Sequence, residues 1–274
     1  CTRSVAITKA EKLIMGKPII HFAHANGFPL ACYGELISEL KQQFDVIGKP
    51  MLAHDSMFPV QDGWNTSADE IIDFIEKYAS EPVIGLGHSF GGTITLKAAA
   101  IRPDLFKGIV LMDPVLVVGL FPTRITGLLK KIGKIGAVTP ADKTEGRRRS
   151  WTSREEAKVY FESKALFKNF SDVSLSLYIE HGLIELKGAF QLVHDVPTEV
   201  KIFKCVPTDI DRLAKTPLKV PGSIIRGAKT DVAYKPFVNR VARQHKMHVA
   251  TINGGHMFPF EVPNETAREI LKLV

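Results

Sequence analysis

The sequence predicts an α/β fold, a mostly parallel sheet flanked by helices, and three observations carry that expectation. Short apolar runs bounded by turn residues alternate with amphipathic segments up to residue 114, the pattern of parallel strands joined by crossover helices. That alternation lapses between residues 115 and 216, a stretch too long for a structureless connection. A glycine-rich turn, Gly87-His88-Ser89-Phe90-Gly91, separates an apolar run from a small-residue helix, as at a sharp strand-to-helix corner.

Taken in order, Lys17 to Ala23 reads as a first strand ending in the turn-rich His24-Ala25-Asn26-Gly27-Phe28-Pro29. A helix is expected over 30–44, with Leu36, Ile37 and Leu40 on one face, and a strand over 44–51. Asn65, Thr66 and Ser67 supply capping chemistry before the apolar face of Ile71, Ile72 and Ile75. Residues 82–86 and 108–113 read as buried strands on either side of the serine helix. Within the lapse the pattern is helical, notably over 153–166 and 173–186. Alternation resumes with a strand at 220–227, a helix at 236–244, a strand at 247–252 and a closing helix over 262–274. The expected organisation is therefore a core of residues 1–114 and 217–274, interrupted by a mainly helical insertion over 115–216.

Composition narrows the function classes. A chain of 274 residues with 45% apolar side chains can bury a large core. Its net charge of +7 gathers partly in Lys130-Lys131, Lys134 and Arg147-Arg148-Arg149. No aromatics interleave with these clusters, so they read as solvated surface and no nucleic-acid partner is expected. They have the sign to attract an anionic substrate or an acidic membrane. Cys1, Cys32 and Cys205 show neither C-x-x-C nor metal-ligand spacing, which fits a reducing, cytoplasmic compartment. The start at Cys1 reads as a trimmed terminus rather than a lipid-bearing cysteine. No apolar run approaches the roughly 20 residues of a membrane span, so no stable membrane insertion is expected. Three sequons, beginning at Asn65, Asn169 and Asn264, read as incidental. Oligomeric state leaves no signal in the sequence.

The residues suited to chemistry lie at strand ends: Ser89, Asp231 after Arg226-Gly227-Ala228-Lys229-Thr230, and His256 after Gly254-Gly255. In open α/β sheets the carboxyl ends of the strands form one site. The order Ser, Asp, His, the Gly87-His88-Ser89-Phe90-Gly91-Gly92 turn, the Asn26-Gly27-Phe28-Pro29 loop and His256 followed by Pro259 and Glu261 together resemble the α/β-hydrolase superfamily of lipases, esterases and epoxide-hydrolase-like enzymes. The resemblance covers residues 17–274 and implies that the insertion is the family's cap domain.

A serine hydroxyl needs a base, and His256 is the candidate to take its proton and return it to the leaving group. Asp231 is the expected orienting acid, and Asp113, at the end of the strand after the serine helix, is its competitor. The amide of Phe90 at the helix N-terminus is one candidate oxyanion donor. By resemblance, Asn26-Gly27 aligns with the family's His-Gly and makes the Phe28 amide the second. No cofactor and no metal are implied: Gly85-x-Gly87-x-x-Phe90 lacks the last glycine of a dinucleotide fingerprint, and H-E-x-x-H and the phosphate-loop pattern are absent. Trp151, Tyr160, Phe161, Phe167 and Phe170 read as packing between insertion and core, with a pocket lining as the alternative. The expectation is a serine hydrolase acting on a small apolar acyl substrate such as a carboxylic ester. A C–C bond hydrolase or lyase on the same scaffold and a non-catalytic binding protein are the rivals.

Overall fold

The computed structural model describes residues 16–213 and 217–274; Cys1 and the expected boundary at 216 lie outside them. Six parallel strands form the central sheet: β1 (Ile19–Ala23), β2 (Asp45–Ile47), β3 (Val83–His88), β4 (Phe106–Met112), β8 (Gly222–Gly227) and β9 (His248–Ile252), in the order β2-β1-β3-β4-β8-β9. Successive side chains of a strand point to opposite faces, and the core divides accordingly. Ile109, Leu111 and Ile224 enter one apolar cluster, while Val110, Met112 and Ile225 enter another.

Helices cover both faces. On the first lie α2 (Asn65–Tyr78), α3 (Phe90–Ile101) and α10 (Lys235–His245); on the second lie α1 (Gly34–Leu40) and α11 (Pro263–Leu273). The predicted helix over 30–44 is shorter than expected, because a 3₁₀ turn at Leu30–Tyr33 precedes α1. Asn65 does not cap α2 through its side chain; its amide oxygen instead accepts from the buried Lys97 ammonium at 2.8 Å.

Between β4 and β8 the chain forms α4 (Leu120–Lys131), α5 (Ala141–Glu145), α6 (Arg154–Glu162), α7 (Asp172–His181), α8 (Val196–Lys204) and α9 (Ile210–Leu213). It also forms an antiparallel sheet of β5 (Ser150–Trp151), β6 (Leu183–Leu186) and β7 (Ala189–Leu192), in the order β5-β7-β6. The predicted helix over 173–186 thus ends at His181, where Gly182 stops it and a strand begins. Lys187 and Gly188, both at positive φ, turn that strand into its partner, a hairpin geometry that apolar periodicity alone does not announce.

Insertion and core share their apolar interior. Ile202, Val206 and Ile210 join the first cluster, and Trp151, Phe161, Phe167 and Tyr178 join the second, with Phe28 and Phe260. Neighbouring ring centroids lie 4.9 Å apart for Phe161 and Phe167, for Phe167 and Phe170, and for Phe170 and Phe260, the last pair stacked. The aromatic set of the insertion is therefore packing.

Candidate active site

The corner between β3 and α3 holds Ser89 in a backbone conformation that side chains rarely adopt, φ 55° and ψ −117°. Two glycines make this corner possible. A Cβ on Gly87 would stand 2.4 Å from the Gly91 carbonyl oxygen, and one on Gly91 would stand 2.0 Å from that of Ala23. The Ser89 amide donates to the Met112 carbonyl at 2.9 Å, tying the corner to the end of β4.

His256 reaches this corner from the loop after β9. Its Nε2 lies 3.0 Å from Ser89 Oγ, and its Nδ1 lies 2.7 Å from Asp113 Oδ2. A carboxylate only accepts, so Nδ1 carries the proton and Nε2 is left to accept from the serine hydroxyl. Glu261 anchors the loop by accepting from the Gly255 amide at 2.8 Å. Gly227 lets the two loops touch, since a Cβ there would meet the Gly255 carbonyl oxygen at 2.3 Å.

Asp113, not Asp231, is the carboxylate against the imidazole. It sits fully buried at the end of β4 with φ 45°. Besides His256 it accepts from the Gly227 amide at 2.9 Å and from the Thr230 hydroxyl. Three donors compensate the burial of its charge. Asp231 is exposed, one residue beyond the threonine that touches Asp113. The parallel register, Met112 beside His88 on one side and Ile225 on the other, brings the end of β4 up to both flanking loops.

His88, inside the turn motif, was not singled out by sequence reasoning. Its Nε2–H donates to the His256 carbonyl at 3.0 Å, and its Nδ1 accepts from the Tyr33 hydroxyl at 2.7 Å. Tyr33 in turn accepts from the Ala25 amide at 3.1 Å. Burial, and then the neighbouring His256, push the His88 pKa well below its ordinary value, so the ring is neutral and keeps one tautomer. This buried chain joins the imidazole loop to the loop after β1. The only sequence signal for it was a histidine beside the serine.

The loop after β1 departs from expectation. The Phe28 amide donates to the Ala25 carbonyl at 3.2 Å, closing a turn on Gly27 at φ 78°. That amide is spent, as is the Ala25 amide on Tyr33. The amides of Asn26 and Gly27 carry no hydrogen bond among the described residues. The Phe28 ring packs within 5.1 to 6.2 Å of Tyr178, Phe260, Phe167 and Phe170. The Phe90 amide opens α3 beside the serine, as expected.

The insertion grips the same loop. Asn26 Nδ2 donates to the Glu199 carbonyl at 3.0 Å, and the Glu199 carboxylate lies so close to Gly27 that a Cβ there would stand 2.7 Å from Oε1. Glu199 is buried and ion-paired with Arg147, and His194 Nε2 lies 3.0 Å from its carboxylate. The other arginines of that basic run are engaged too, Arg148 with Glu156 and Arg149 with the Glu145 carbonyl. The Trp64 indole donates to the Ile202 carbonyl at 3.0 Å and packs edge-on against Phe90 at 4.9 Å.

A family model described as the alpha/beta hydrolase family matches residues 23–269. Monoglyceride lipase of Rattus norvegicus is 31% identical over 113 residues, 37% of this chain and 36% of that protein. A monoglyceride lipase homolog of Monkeypox virus is 27% identical over 139 residues, 45% of this chain and 47% of that protein. The match thus spans under half the length of these relatives. Among solved structures, E-2-(acetamidomethylene)succinate hydrolase superposes with a TM-score of 0.77 at 19% identity, covering 94% of this chain and 91% of its own. A thioesterase domain from the curacin biosynthetic pathway gives 0.68 at 15%, covering 93% and 91%. At such identities the likeness is one of fold. Among the described residues no helix is long and apolar enough to cross a membrane. Because the family match runs from the end of the first strand into the last helix, the protein belongs to the alpha/beta hydrolase family.

Proposed function

We propose that the protein is a serine hydrolase that cleaves a carboxylic ester or related acyl compound through an acyl-enzyme on Ser89, with His256 as base and Asp113 as the orienting acid. The carrying observation is the unbroken path from Ser89 Oγ through the imidazole to Asp113 Oδ2, 3.0 and 2.7 Å. As Oγ attacks the acyl carbon, its proton passes to Nε2. Collapse of the tetrahedral intermediate returns that proton to the leaving oxygen or sulfur. Water then repeats the sequence and frees the acid. Asp113 holds the ring in the tautomer that accepts at Nε2 and offsets the charge of the imidazolium.

The oxyanion faces the Phe90 amide at the N-terminus of α3, and the second donor comes from the unspent amides of Asn26 and Gly27. Residues 115–216 act as the cap, since Glu199 and the ring cluster fix the loop that supplies this donor. The lipase and thioesterase names of the relatives support an acyl substrate.

A fluorophosphonate probe is expected to label Ser89, and Ser89→Ala to lose at least about 10³-fold in turnover of short p-nitrophenyl esters. Asp113→Asn should lose about 10⁴-fold by holding the wrong tautomer, while Asp231→Asn stays near wild type. Loss in Asp231→Asn with retention in Asp113→Asn would overturn the assignment of the acid.

A further inference from the structure

Helix α4 is turned inside out relative to a helix packed on a core. None of its residues is buried. Phe121, Ile125 and Leu128, continued by Ile132 one residue past the helix end, recur at the spacing of a single helical face, and the four are 74, 42, 57 and 56% exposed. Leu120, 69% exposed, opens the helix on the adjoining row. Leu129, on the flank of this stripe beside Ile125, packs against the core.

Cations border the exposed stripe. Arg124 and Lys131, seven positions apart and so on one row of the helix, are both exposed, and Lys134 follows just beyond. Lys130 points back and pairs with Asp62; the ion pairs of the described residues engage none of the other three. From Val115 to Ala141 the chain contains four cations, Arg124, Lys130, Lys131 and Lys134, and no Asp or Glu.

We propose that α4 docks the protein on the surface of an anionic lipid bilayer. An apolar stripe beside a row of unpaired cations is complementary to an acyl boundary under phosphate headgroups. The helix lies in the interface and does not span it: its 12 residues reach about 18 Å against a hydrocarbon core of about 30 Å. A second copy of this chain is the poorer occupant. A symmetric pair would set the same cations near their own copies, and residues 115–141 contain no carboxylate to answer them. Leu120 begins seven residues after Asp113, so the docked helix holds the carboxyl ends of the strands near the lipid. The inference rests on α4 and not on the chemistry assigned to Ser89.

Flotation with extruded vesicles tests it, using phosphatidylcholine alone and phosphatidylcholine with 30 mol% phosphatidylglycerol as about the anionic content to try first. The chain is expected to float with the anionic vesicles and far less with the neutral ones. Arg124→Gln and Lys131→Gln should each weaken binding about fivefold, and Phe121→Asp with Leu128→Asp at least about tenfold. These side chains are exposed, so the melting temperature should not move; the Arg124 and Lys131 variants carry the test if the aspartate pair does not fold. Ser89→Ala protein should float equally well, which separates docking from turnover. Absence of flotation on anionic vesicles, or binding indifferent to both sets of variants, overturns the proposal. So does a dimer in sedimentation equilibrium that the aspartate pair disperses while vesicle binding is absent.

Discussion

His21 lies in the middle of β1 with neither ring nitrogen hydrogen-bonded, packed beside the Phe74 ring at 5.6 Å. Burial, and then the neighbouring His24, bring its pKa down to about 3; burial brings that of His24 down to about 4. With His88 also well below its ordinary value, three rings are neutral in the folded chain and free to protonate in the unfolded one. The unfolded state therefore binds more protons below pH 6.5, and stability, full above that value, is lost as pH falls towards about 4. The urea midpoint should drop steeply between pH 7 and pH 5; a flat or rising midpoint would contradict this. His21→Leu removes two unpartnered polar atoms and should add about 1–2 kcal/mol at neutral pH while flattening the acid loss. At this same scale the sequence was half legible. Ser89 and His256 stood out because their turns need particular glycines, a local requirement. Asp113 and Asp231 each end a strand, and which one meets the imidazole depends on register across β4 and β8, which no local pattern carries. The Phe28 amide was misjudged for a related reason: whether a loop amide is free depends on the turn it closes.

Two contacts between elements join the insertion to the core through buried charge. On α3, Lys97 is 1% exposed, and its ammonium meets both Asp209 carboxylate oxygens at 2.8 Å. Nothing local in the sequence points from Asp209 to a partner on α3. Asp209→Asn leaves a buried ammonium without its counter-charge and should cost about 3 kcal/mol. Lys97→Met with Asp209→Leu should recover most of that loss, and chemical denaturation of the three proteins decides it. At the loop after β1, Gly27→Ala is strained by its positive φ and pushes against the Glu199 carboxylate. We expect turnover to fall towards 10²-fold, the size of a lost oxyanion donor, with KM changed much less. A variant that loses substrate affinity at constant kcat would point instead to a role in the pocket wall.

For the molecule as a whole, the parallel sheet was the most legible part, because each core strand is a buried apolar run followed by an amphipathic helix. Element ends shifted by a few residues, as at β2, expected over 44–51 and found at Asp45–Ile47. Between β4 and β8 the helical pattern was legible in part, and the three-stranded sheet was not. Its hairpin of β6 and β7 carries no clear period-two pattern, since β6 exposes Ile184, Glu185 and Leu186 in succession. The insertion's aromatic residues looked alike whether they lined a pocket or filled a core, and the continuity of both apolar clusters across insertion and sheet answers that. A consequence follows from where Asp113 stands. Ser89 and Asp113 close neighbouring strands whose ladder pairs His88 with Met112, so the proposed nucleophile and acid form a rigid baseline stitched by backbone hydrogen bonds. The imidazole alone arrives from the far end of the chain, on a loop that Glu261 and the neutral His88 hold in place. In the proposed reaction cycle, adjustment of these three residues therefore reduces to one degree of freedom, the swing of a single ring between two fixed posts.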